Sequence, residues 1–198
     1  IRLLGSRNPD SEVTLRRLVR HFQACDRLEQ AAPHVRLTMN DHNGDVEQMI
    51  LMVDVKHPAL AERLRVLRGL QTPERGTLQN AINDLLATRK AQLAPTDPFA
   101  AFYSDALYGI LDTAAHGARS NNCDLWRPAA EEVAAIHGLQ YGPTHRKTTF
   151  AQWWHAAALL NSGEFAACEA LSQEVHELRL STLAPDFPGG YTRFEPLL

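Results

Sequence analysis

Hydrophobic patterning is sharpest between residues 34 and 55, on either side of Asn43-Gly44. That dipeptide supplies the two positive-φ positions of a type I′ turn. Pairing the flanks about it sets Leu37 opposite Ile50, Val35 opposite Met52 and Met39 opposite Gln48. Directly opposed residues share a face, so the pattern predicts a β-hairpin with one apolar stripe. Residues 49–53 are apolar on both faces, which predicts a second strand covered on both sides.

Elsewhere the period is helical. Asn8-Pro9 opens a helix with Leu15, Leu18, Val19, Phe22 and Cys25 on one side. A helix from Pro58 carries Leu60, Leu64 and Leu67, and another after Thr72-Pro73-Glu74 carries Leu78, Ile82, Leu85, Leu86 and Leu93. Pro95 and Pro98 form the sharpest break in the chain, and Asp97-Pro98 starts the next helix, with Phe99, Phe102, Tyr103, Ala106, Leu107, Ile110 and Leu111. A short helix over residues 128–137 should end at Gly138. Thr144 should cap a helix with Phe150, Trp153, Trp154, Ala157 and Leu160. A last helix carries Phe165, Cys168, Leu171, Val175 and Leu178, and an irregular tail follows from Ala184.

The expected fold is therefore mainly helical α+β. A small antiparallel hairpin sheet of two or three strands, with residues 1–4 as the third, packs under helices, and the C-terminal half is helical. The proline break divides a helix–hairpin–helix unit (1–94) from a helical unit (95–198), unless the two share one continuous domain.

The sequence Ala-Leu-Leu-Asn-Ser-Gly-Glu-Phe at 158–165, with Cys-Glu-Ala-Leu at 168–171, resembles one tetratricopeptide-type helical hairpin. The resemblance covers residues 150–175 and implies a partner-binding surface. No second copy at a 34-residue spacing is visible, so the family is not assigned.

Composition narrows the class without naming a chemistry. With 198 residues, 44 % hydrophobic and 22 % charged, the chain can bury a core without disulfides or metal. Three scattered cysteines with no Cys-x-x-Cys point to a reducing, cytoplasmic setting. No apolar run reaches membrane-spanning length, so no membrane partner is expected. Net charge is −3, against a dedicated nucleic-acid binder. The first 100 residues hold 14 Lys+Arg against 12 Asp+Glu, and the remainder 6 against 11. The basic side lies in Arg16, Arg17, Arg20 and Arg27 and in Arg63, Arg65 and Arg68, which could follow a phosphate backbone but match an ordinary solvated helix face. The acidic half suits a basic partner.

Four groups of residues invite a chemical reading. Asp54-Val55-Lys56 at a strand end would be half of a metal-dependent nuclease site, the acid holding the metal and the lysine steadying water or phosphate. Asp41 and Asp45 sit at the turn, too far away to be the second acid, so a solvent-exposed charged pair accounts better for Asp54 and Lys56. Residues 41–45 resemble a Ca²⁺ loop only superficially, and the turn explains them. His21 and Cys25 lie four apart on one helix, with no orienting carboxylate. Trp153, Trp154 and His155, near His145, form the densest aromatic cluster. Adjacent indoles point about 100° apart on a helix, so one should reach the rim as a binding anchor. No phosphate loop, nucleophile elbow or zinc spacing occurs, and neither a metal nor a cofactor is expected. The favoured function is an adaptor that binds another protein through a helical surface. The alternatives are a nuclease or phosphodiesterase at Asp54 and Lys56, and a nucleic-acid contact through the N-terminal arginines.

Overall fold

The computed structural model describes residues 46–70, 74–117 and 123–182, with the side chains of 114–117, 123 and 179–182 left aside. Val46–Asp54 overturns the expected sheet, because it is a helix, α1. Among the described residues there is no β-strand, so the α+β class and the β-hairpin are corrected to an all-helical fold. The turn at Asn43-Gly44, the first strand, residues 1–4 and the N-terminal helix lie outside the described residues.

The burial expected for this run holds, but its period does not. Met49, Ile50, Met52 and Val53 are buried and Val46 packs beside them. On a helix Val46, Met49, Ile50 and Val53 form a single stripe at i, i+3, i+4 and i+7, and Met52 widens it. A five-residue apolar run fits a covered strand and a deeply buried helix equally well. Glu, Gln, Met and Leu among these nine residues favour the helix.

The other elements follow the helical stripes. Helix α2 (Pro58–Gly69) buries Leu60, Leu64 and Leu67. Helix α3 (Arg75–Gln92) buries Leu78, Ile82 and Leu85. Helix α4 (Pro98–Gly117) begins after the proline break and buries all seven expected apolar residues. A 3₁₀ turn (Cys123–Trp126) leads into α5 (Arg127–Tyr141), and α6 (Arg146–Asn161) and α7 (Phe165–Thr182) complete the order.

Helix α4 packs between α1 and α5, α2 bridges α1 and α3, and then α5, α6 and α7 each pack on the next. Buried side chains on both sides of the proline break share one core, from Met49 to Ala158. Ala156, Leu159 and Cys168 form a smaller cluster between α6 and α7. Gly109 sets the α1–α4 approach: a Cβ there would lie 2.5 Å from Val46 Cγ2.

Two boundaries differ from expectation. Helix α5 runs past Gly138 and ends at Gly142, whose φ of 92° suits glycine. The N-cap of α6 is His145, not Thr144, and His145 Nδ1 accepts the Lys147 N–H at 3.2 Å.

Candidate functional site

Helix α6 presents two packing faces. Thr148, Ala151 and Ala158 are buried among the main-body helices, while Ala156 and Leu159 face α7. Its buried residues are mostly small, which lets neighbouring helices approach closely and keeps the large aromatics toward the rim. Phe150, Trp153 and Trp154 are accordingly half-buried, not core. The two indoles meet edge to face with centroids 4.9 Å apart. Trp154 also donates a hydrogen bond to the Tyr108 hydroxyl of α4; burial, the larger influence, raises that phenol above its ordinary pKa. His155 lies beside Glu131 and Arg127 of α5 and Glu164 at the start of α7, and burial lowers its imidazole pKa against the pull of Glu131. Arg127 and Glu164 form an ion pair there. Of the three positions singled out by sequence, Trp154 therefore reaches α4, His155 reaches α5 and the start of α7, and Trp153 packs on Trp154.

The richest polar cluster was not visible as a motif. Asp105 of α4 is almost fully buried beneath α5 and the first turn of α6. Its Oδ2 accepts from Tyr141 Oη at 2.8 Å and from Lys147 Nζ at 2.7 Å. Its Oδ1 lies 3.1 Å from His137 Nε2, close but poorly directed for a hydrogen bond. The His137 ring is 1 % exposed, and its Nδ1 faces the Lys147 carbonyl at 3.2 Å, so Nδ1 carries a proton when it donates there. Tyr141 stacks on His145 with centroids 4.9 Å apart. Burial alone would raise the Asp105 carboxyl, but His137 and the Lys147 charge outweigh it and hold the pKa below the ordinary value. Oδ2 bonds α5 through Tyr141 and α6 through Lys147, so the arrangement clamps α4, α5 and α6 together.

A second buried polar contact lies between α3 and α5. Arg89 and Glu132 pair through two nitrogens and two oxygens, each side chain about one-tenth exposed. Burial opposes the charge on Arg89, and its contacts with Glu132 overcome that and raise its pKa. Beside them the fully buried Tyr103 hydroxyl lacks a well-directed partner. Burial, reinforced by the nearby Glu132 charge, pushes that phenol well above its usual range.

Asp54 ends α1 instead of a strand, and its Oδ2 accepts from Arg65 at 2.8 Å. Glu47, two turns back on α1, lies 3.8 Å from the same guanidinium and also pairs with Arg68. Lys56 is exposed, with its Nζ 5.2 Å from the centre of the Phe99 ring. Arg63 pairs with Asp84 at 2.9 Å. Arg16, Arg17 and Arg20, with His21 and Cys25, lie outside the described residues. Among the described residues no group of three His, Cys, Asp or Glu could hold a metal ion, and no helix is long and apolar enough to cross a membrane.

Comparison with protein families, curated proteins and solved structures gives no match. The tetratricopeptide resemblance of residues 150–175 gains no support from them.

Proposed function

We propose that this protein is a cytoplasmic adaptor that binds another protein through the surface of its C-terminal helical hairpin. The observation that carries this reading is the Trp153–Trp154 pair on α6. Both rings are ordered against each other, yet both stay partly exposed. A rigid aromatic left at a surface costs little entropy to bury and is the side chain most enriched at binding hot spots. Trp154 also bonds the Tyr108 hydroxyl of α4, so its replacement would disturb the body of the fold as well as the surface. The nuclease alternative gains no such support, since Asp54 has Arg65 as counter-ion; of the basic residues considered for a nucleic-acid contact, Arg63, Arg65 and Arg68 are ion-paired, and Arg16, Arg17 and Arg20 lie outside the described residues.

Crosslinking in extracts of the native source, with parent and Trp153→Ala side by side, tests the reading. One partner should be lost from the variant while the melting temperature stays close to that of the parent. Identical crosslinked species from both proteins would reject the hairpin as the working surface.

A further inference from the structure

Among the described residues, helix α7 packs through one face and has no helix against the other. Cys168 and Val175 are buried, Leu171 is half-buried, and α6 is the main neighbour. Phe165, at the first position of α7, is nevertheless 67 % exposed. Phe165, Glu169, Gln173 and Glu177 follow one another at i+4 spacing, and all four are exposed. Residues at that spacing form a continuous ridge on a helix surface, the kind that seats in the groove of a second helix.

We propose that this outer ridge of α7 docks a basic amphipathic helix of a partner protein, with Phe165 as its apolar anchor. The proposal rests on the adaptor reading above and places the contact on a particular helix face. Charge selects the occupant. Glu169, Glu174 and Glu177 are exposed, and among the described residues none of them forms an ion pair. Residues 165–178 contain no lysine or arginine, and Arg179 is the first cation beyond them. A second copy of the chain laid on α7 would bring together two acidic faces that hold no lysine or arginine over residues 165–178, which opposes self-association. A helix with lysines or arginines flanking one apolar stripe meets both features: its apolar residues cover the Phe165 ring and its cations meet the glutamates.

The probe is a fluorescent 18-residue peptide with leucine at i, i+3, i+4 and i+7 and lysine elsewhere. Its isomer with glutamate for lysine is the control. Anisotropy with the full chain should show binding of the lysine peptide only. Phe165→Ala and the pair Glu169→Lys with Glu177→Lys should each weaken it at least about tenfold. Neither should lower the melting temperature appreciably, because these side chains are exposed. Equal binding of both peptides, no binding, or binding unchanged in both variants overturns the proposal. So does a concentration-dependent dimer dispersed by Phe165→Ala, which would make a second copy the occupant. Binding lost only in Trp153→Ala would keep the adaptor reading and reject the α7 ridge, so the two can fail separately.

Discussion

Glu132→Leu leaves the Arg89 side chain, 10 % exposed, without its carboxylate. Two directed hydrogen bonds and a full counter-charge disappear together. Leucine is close to glutamate in size, so the cost is mainly that of a stranded buried cation. Breaking a buried pair from one side typically costs about 3–5 kcal/mol. In a chain of this length each kcal/mol moves the melting temperature by about 2–4 °C, so the variant should melt roughly 6–20 °C lower. The double variant Arg89→Met with Glu132→Leu removes both charges and keeps the volume. It should recover most of the loss, because the desolvation penalty leaves with the pair. Circular dichroism at the helix band, followed against temperature and against urea, measures all three proteins. The urea slope must stay constant for the comparison to report stability alone. A single variant within about 2 °C of the parent, or a double variant as unstable as the single, would refute the buried-pair argument, since a kcal/mol moves the midpoint by at least that much.

Gly109→Ala should destabilise by about 1–3 kcal/mol, since the new methyl meets the stiff Val46 side chain at 2.5 Å; Val46→Ala in the same chain should restore much of it in urea titrations. Asp105 titrates below its ordinary value in the fold, so its contribution is full above about pH 4 and is lost as pH falls through the lower folded value. Asp105→Asn should therefore flatten the acid limb of the stability curve, and an unchanged limb in urea midpoints between about pH 2.5 and 5 would contradict the clamp. Gly142→Ala forces a side chain into φ 92° and should cost about 1 kcal/mol or more by thermal melting, whereas Gly76→Ala, in open helical space, should stabilise by several tenths.

Helices α2, α3 and α4 were legible because their leucines and phenylalanines recur at helical spacing over three or more turns, and proline marks where they start. The run 46–54 was misread for the opposite reason: residues 49–53 are all apolar, so period carries little information there, and Asn43-Gly44 pulled the reading toward a strand. In α6 the large residues suggested the buried stripe, whereas alanines and threonines occupy it, because a helix between two others needs small side chains at its contacts. Phe165 was assigned to the stripe of α7 by spacing, yet the helix begins there and Cys168 and Val175 carry the contact. The Asp105 clamp left one local trace, His137 and Tyr141 four apart on one helix. Asp105 lies 32 residues before His137, and Lys147 ten after it, so their meeting depends on how three helices stack and on no local motif.

The small cluster of Ala156, Leu159 and Cys168 is separate from the main core, and Cys168 and Leu171 tie α7 to it. Amide protons should register that separation. Local openings that expose few apolar groups need less free energy than global unfolding, so the amides of α7 should exchange through a motion that leaves the main core closed. Those of α4, which buries side chains from Phe99 to Leu111, should exchange only when the main core opens. Helix α6 lines both clusters, so its protection should follow the core even after α7 has detached. The hairpin then behaves as two layers of unequal permanence, with the layer that carries Phe165 the first to open.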